Sequence, residues 1–139
     1  MRASARRKES GANRILGFGH EVEIEGGHTI VVDEPVDSGG TDTGPSPIRL
    51  LAASLAACTA VTIEMYAERE GWDVGKVEVD ADVAYDGHAV KSFDVTLKLP
   101  GELTGAQRET LLGIAGQCPV HRALKGETPV TISDHVEAV

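Results

Sequence analysis

Cysteine is scarce in this chain: its 139 residues include two, Cys58 and Cys118. Two are too few for the disulfide framework of a small secreted domain. They fit a reducing compartment, where a pair of thiols serves as core filler, as metal ligands or as redox groups. Aromatic residues make up 4% of the chain, so the core must be built from Val, Leu, Ile and Ala. Positive charge is short too. Thirteen Lys and Arg against 22 Asp and Glu leave a formal net charge of −9, which argues against the basic footprint of a nucleic-acid binder. Long apolar runs are missing. The longest, Leu50 to Ile63, has 14 residues interrupted by Ser54, Thr59 and Thr62 and bounded by Arg49 and Glu64. At ~1.5 Å per residue it covers roughly 21 Å, short of the ~30 Å hydrocarbon core of a bilayer. A buried core helix is expected there, with no membrane partner. No apolar h-region follows the basic start Arg2, Arg6, Arg7 and Lys8, so a secretory leader is not expected and a cytoplasmic location is. GxxxxGK[ST] and GxGxxG patterns are absent, and Ser54 has no nucleophile elbow around it.

What remains is an ordinary soluble composition, 41% hydrophobic and 25% charged, in a length that suits one domain. Residues 1–12 have no apolar period and read as a disordered or frayed tail, leaving 13–139 as the domain. His20 to Glu25 and His28 to Asp33 flank Gly26-Gly27 and read as a hairpin. Asp37 to Pro47, DSGGTDTGPSP, is loop. Ser46 as N-cap and Pro47 at the first helical position then open a helix that runs to Glu70, with Gly71 as its stop. This helix carries Cys58 and is apolar on nearly every face from Leu50 to Ile63. A helix of that kind must be covered on several sides. One small sheet cannot do so, and a second subunit is expected to supply the rest. Val74 to Tyr85 and Phe93 to Leu99 alternate as two antiparallel strands around an Asp86-Gly87 turn. Leu103 to Gly116 reads as a second helix with Thr104 as N-cap. Cys118-Pro119 starts a short helical turn closed by Gly126, and Pro129 to Val136 reads as a last strand. The fold class is α+β: a mostly antiparallel sheet packed on a long, central, cysteine-bearing helix.

The chemistry-bearing residues are the two thiols and His121. Cys118 stands at a helix start with His121 one turn on, a setting that favours the thiolate. Cys58, in mid-helix, gets no help from a helix end and needs a nearby cation or hydrogen bond to become reactive. Free cysteines are also common core residues, so inert packing of both competes with any reactive role. A metal site is a third reading. Cys118-Pro-Val-His121 is a Cys-x-x-His unit, half of a zinc site; Cys58 and one of His20, His28, His88 or His135 would have to complete it, and no second closely spaced pair exists. Those four histidines, and the acidic Glu78, Asp80, Asp82 and Asp94, otherwise read as solvated surface.

The stretch GPSPIRLLAASLAACTAVTIEMYAEREGW, followed about 60 residues later by GQCPVHRALKG, resembles the OsmC/Ohr family of osmotically inducible and organic hydroperoxide resistance proteins, in particular an OsmC-like branch with GPSP and CPVH motifs. The likeness covers most of the chain in the same element order. It implies an intertwined α+β homodimer with active sites at the interface, and a cysteine-based peroxidase that needs no cofactor or metal. In that chemistry the residue matching Cys58 attacks a hydroperoxide and becomes a sulfenic acid. The residue matching Cys118 resolves it to a disulfide, and a small or protein dithiol reduces the disulfide. The resemblance thus reverses the order of reactivity drawn from the helix end. The family also implies an arginine that stabilises the thiolate, held by a glutamate in a Pro-Glu pair before the cysteine helix. This chain has Pro47-Ile48-Arg49 in that place. Arg14, the lone arginine between Arg7 and Arg49, and Arg49 itself are the candidates for the stabilising cation, and His121 for a local partner of Cys118. The alternative function on the same scaffold is a non-enzymatic protein that binds a small apolar ligand in the interface pocket.

Overall fold

The computed structural model describes residues 1–8 and 17–138. They divide into two compact units, Met1–Leu51 and Ala52–Val139.

In the first unit, Val22 and Ile24 alternate with Glu21 and Glu23 to form β2 (His20–Ile24), which returns through Gly26 and Gly27 into β3 (His28–Val32). Both glycines have positive φ, 106° and 86°. The two strands pair antiparallel with Val22 opposite Ile30, as expected for a hairpin. Ahead of them, Ala3–Arg7 forms β1 and pairs with the other edge of β2, Ala5 opposite Val22. The reading of residues 1–12 as a frayed tail is therefore corrected for Ala3–Arg7. An Ala/Arg/Ser strand has no apolar alternation to betray it, and its pairing with β2 makes it a strand. Beyond β3, a 3-10 turn at Val36–Ser38 and the Gly-rich loop lead to α1 (Pro47–Glu70). This loop lies very close to backbone: a Cβ on Gly40 would collide with the carbonyl of Glu34, and one on Gly44 with that of Val31.

Helix α1 begins where Ser46 and Pro47 place it. The Ser46 hydroxyl accepts the Arg49 N–H at 3.3 Å, and its carbonyl accepts the Leu50 N–H at 2.9 Å. It ends as Gly71 turns to φ 72° and the Trp72 N–H reaches back to the Ala67 carbonyl. Its buried stripe is Ala52, Leu55, Thr59, Ile63 and Ala67, at helical spacing. By length and mean hydropathy α1 is able to cross a bilayer, and 22% of its most apolar window is buried. Val61 and Met65 stay exposed at 53% and 67%.

The second unit adds the hairpin β4 (Glu78–Asp86) and β5 (Ala89–Lys98), then α2 (Gly105–Ala115) and α3 (Pro119–Leu124). The hairpin turns at Gly87-His88, one residue beyond the expected place. A register shift between Ala84 and Tyr85 breaks the alternation, and Tyr85 is exposed. Helix α2 carries a full capping box: Thr104 accepts from the Gln107 N–H, and Gln107 accepts from the Thr104 N–H. Ile63 and Ala67 of α1 meet Val74, Leu99, Leu111 and Ala115 in one core, with Tyr66, Trp72, Val77, Leu97 and Leu103 around it. Among the described residues the strands form two antiparallel sheets, of three and two strands, in keeping with the expected α+β class. The strand expected at Pro129–Val136 is not formed. The segment has no regular structure, and Val130, Ile132 and Val136 are 63%, 82% and 96% exposed. Its alternation is real, but a strand exists only against a partner ladder.

Candidate functional site

Cys118 owes its position to Pro119. Helix α2 ends at Ala115, and the Gln117 and Cys118 N–H groups fold back onto the carbonyls of Ile114 and Ala115. The residue before a proline is driven to extended backbone; Cys118 has ψ 131° and becomes the N-cap of α3, with Pro119 in its first turn. Its sulfur accepts the His121 N–H at 3.4 Å. Cys118 is fully buried. Cys58, half-buried on α1, lies close enough for the two thiols to titrate together. Thr62, one turn further along α1, donates its hydroxyl to the Cys58 carbonyl at 2.7 Å.

The electrostatics correct the argument from the helix end. Burial, and then the neighbouring Cys58 thiol, push the Cys118 thiol above its ordinary value; the N–H groups of His121 and Val120 pull the other way and are outweighed. Cys118 therefore rests as a protonated thiol, and a six-residue helix does not offset the loss of water around its sulfur. Two more polar atoms, Oγ1 of Thr59, which follows Cys58, and Nδ1 of His121, three residues after Cys118, are buried without a hydrogen-bond partner among the described residues.

The structure thus brings together Cys58 and Cys118, with His121 beside Cys118. Arg14 lies outside the described residues. Arg49 is exposed in the first turn of α1. Nine residues along a helix turn it to the face opposite Cys58 and set it about 13 Å away along the axis. No group of three or more His, Cys, Asp or Glu side chains is placed to hold a metal ion among the described residues.

Two features escaped the reading of the sequence. One is a cleft of about 430 Å³ lined by Thr62, Met65, Tyr66, Arg69, Ile114 and Gln117. The spacing of Cys58, Thr62, Met65 and Arg69 along one helix face was the available signal. The other is Asp33, at the end of β3, 1% exposed. Its carboxylate accepts from the hydroxyls of Thr41 and Thr43, both at 2.7 Å, and from the N–H groups of Phe18, Glu34, Thr41 and Thr43. The Thr41 hydroxyl leads in holding Asp33 far below the usual carboxylate range, with burial opposing it.

A family model described as OsmC-like protein matches residues 40–133, which takes in both cysteines and the helices that carry them. The chain belongs to the OsmC-like protein family. Its α+β fold of antiparallel sheets with a long helix is that of solved OsmC-like proteins. An OsmC-like protein from Mycoplasma pneumoniae aligns with a TM-score of 0.74 at 16% identity, covering 90% of this chain and 86% of the other. An organic hydroperoxide resistance protein, OsmC, from Legionella pneumophila aligns at 25% identity with a TM-score of 0.62, covering 89% and 88%. An organic hydroperoxide resistance protein from Elizabethkingia anophelis aligns at 24% identity with a TM-score of 0.64, covering 89% and 86%. The comparison with curated proteins finds no match.

Proposed function

We propose that this OsmC-like protein is a cysteine-based peroxidase that reduces hydroperoxides. Family membership and neighbours named for organic hydroperoxide resistance support a redox or stress role. The observation that carries the finer reading is the closeness of the only two thiols of the chain, 60 positions apart in sequence, one half-buried and the other buried with a raised pKa.

The Cys58 thiolate attacks the outer oxygen of R–O–OH. The O–O bond breaks, an S–O bond forms, and the alkoxide leaves to take a proton as alcohol. Cys58 is oxidised to the sulfenic acid and the peroxide is reduced. Cys118 then gives up its proton and attacks the Cys58 sulfur. An S–S bond forms and the hydroxyl leaves as water with that proton. An external dithiol, small or on a thioredoxin-like or lipoylated protein, reduces the disulfide and restores both thiols. A raised pKa suits Cys118 to this order: it stays a thiol, and not a competing thiolate, until Cys58 is oxidised. His121, whose backbone N–H bonds the Cys118 sulfur and whose imidazole Nδ1 is buried without a partner among the described residues, is the local base we assign to take its proton. The cation that stabilises the Cys58 thiolate is assigned to Arg14 or, given its place on the far face of α1, to the Arg49 of a second copy.

The same reading includes a cytoplasmic homodimer. The exposed Val61, Met65 and Leu112 and the unpaired alternation of Val130, Ile132 and Val136 support a second subunit. The test is steady-state consumption of an organic hydroperoxide with a dithiol reductant. Turnover that requires both cysteines is expected; a reduced protein that leaves the peroxide unconsumed overturns the reading.

A further inference from the structure

Thr59 is fully buried on α1, and its hydroxyl bonds to nothing among the described residues. A threonine inside a helix has a ready partner in the carbonyl four residues back. Two others in these helices take it: Thr62 donates to the Cys58 carbonyl at 2.7 Å, and Thr110 to that of Ala106 at 3.0 Å. Thr59, with the Leu55 carbonyl in the same place behind it, does not. Valine would fill the same volume without burying a hydroxyl. A donor held free in a dry site has its use when a partner arises during the chemistry.

Two coordinates place that hydroxyl. Around the axis of α1, at ~100° per residue, Thr59 stands between Cys58, about 100° to one side, and Ile63, about 40° to the other. Ile63 packs with Leu111 and Ala115 of α2. Cys118, whose N–H bonds the Ala115 carbonyl, follows directly from that helix. Along the axis Thr59 is ~1.5 Å from the level of Cys58, and Cys58 is close enough to Cys118 for the two thiols to titrate together. Thr59 therefore faces the junction of α1 with the end of α2, where Cys118 lies, and both residues are 0% exposed.

We propose that Thr59 is a catalytic residue of the resolving step, its hydroxyl donating to the Cys118 sulfur as that thiol loses its proton. This rests on the peroxidase reading and adds the group that receives the charge. The proton of Cys118 passes to His121 Nδ1. The electron pair left on the sulfur, steadied by the Thr59 O–H, attacks the sulfur of the Cys58 sulfenic acid. The S–S bond forms, the S–O bond breaks, and hydroxide leaves with the S–O pair and takes the proton from His121 as water. Cys118 is oxidised as the Cys58 sulfur is partly reduced, and the Thr59 O–H bond stays whole. A hydroxyl donates more strongly to an anionic sulfur than to a neutral thiol. The bond therefore favours the charge that develops over the resting state, which is what accelerates a step. The titratable groups beside Cys118 are Cys58 on α1 and His121 on α3.

The test has two arms. In the first, Cys58→Ser leaves Cys118 as the sole thiol, and its thiolate absorbance is followed against pH. Adding Thr59→Val should raise the midpoint by about one pH unit, whereas Thr59→Ser, which keeps the hydroxyl, should leave it in place. In the second, both cysteines are present, and one equivalent of an organic hydroperoxide is followed by rapid quenching and mass spectrometry. Thr59→Val should form sulfenic acid on Cys58 at the wild-type rate but form the disulfide about tenfold more slowly, and Thr59→Ser should recover the rate. An unchanged midpoint, or disulfide formation at the wild-type rate in Thr59→Val, overturns the assignment. So does an equal slowing of both steps, which marks a packing defect. A wild-type protein whose Cys58 is not oxidised overturns the peroxidase reading instead, and the first arm still decides whether Thr59 serves Cys118.

Discussion

Each unit of this protein holds one buried polar cluster, and the two are opposites. Around Asp33, six donors from Phe18, Glu34, Thr41 and Thr43 meet one carboxylate, and every lone pair that burial strips of water finds a partner. In the second unit, the Cys118 thiol sits with weak partners, and Thr59 Oγ1 and His121 Nδ1 are buried without a partner among the described residues. A fully satisfied buried network rigidifies, and a partly satisfied one costs stability. The first cluster is scaffold: it ties the end of β3 to the loop that delivers α1. The second keeps polar groups under-bonded where the proposed chemistry needs a thiol that can give up a proton and move toward its neighbour.

The largest effect should separate the clusters by function. Cys58→Ser is expected to cut peroxide turnover by about a thousandfold or more in a steady-state assay, with the thermal midpoint little changed. Asp33→Asn should do the reverse and give a large loss of stability in urea unfolding, because an amide cannot accept what the carboxylate accepts. The sign of its pH dependence follows from the depressed pKa. The contribution of Asp33 is present above the ordinary carboxylate value near ~3.9 and is lost as pH falls below it. The wild type should therefore lose stability in acid more steeply than Asp33→Asn.

At the other cluster the sign is opposite. The pKa of Cys118 is raised, so the folded state keeps a proton that the unfolded chain releases. Its contribution is complete below the ordinary thiol value near ~8.5 and is lost as pH climbs through the folded value. Melting followed from pH ~7 to ~10 should show a basic decline that Cys118→Ala lacks. The smallest effect compares hydroxyls. Thr59→Val removes an unpartnered hydroxyl in the same volume and should be neutral or stabilising by up to about 1 kcal/mol, whereas Thr41→Val, which strips Asp33 of a donor, should destabilise. Equal signs for these two substitutions in denaturant unfolding break the comparison.

The sequence carries α1 almost to the residue, because Ser46, Pro47 and Gly71 act through local backbone physics that needs no tertiary context. Helix α2 is legible for the same reason, through Thr104. β1 is not, since Ala3–Arg7 becomes a strand through β2 and its own pattern is silent. Pro129–Val136 errs in the other direction: its alternation is legible, but no strand among the described residues pairs with it. The candidate site was half legible. The two thiols and His121 could be named, but their meeting depends on how α1, α2 and α3 pack, which no spacing encodes. The helix end beside Cys118 suggested a more acidic thiol; burial, invisible in a list of residues, decides otherwise. Asp33 looked like the end of a strand, although Thr41 and Thr43 stood ready in the loop as donors.

The central claim is that Cys58 and Cys118 form one redox unit. Its most direct test adds one equivalent of an organic hydroperoxide to the fully reduced protein, followed by thiol titration and peptide mapping by mass spectrometry. The account predicts loss of both thiols and a Cys58–Cys118 disulfide, with Cys118→Ser stopping at a sulfenic acid on Cys58. Two free thiols persisting under excess peroxide would contradict it.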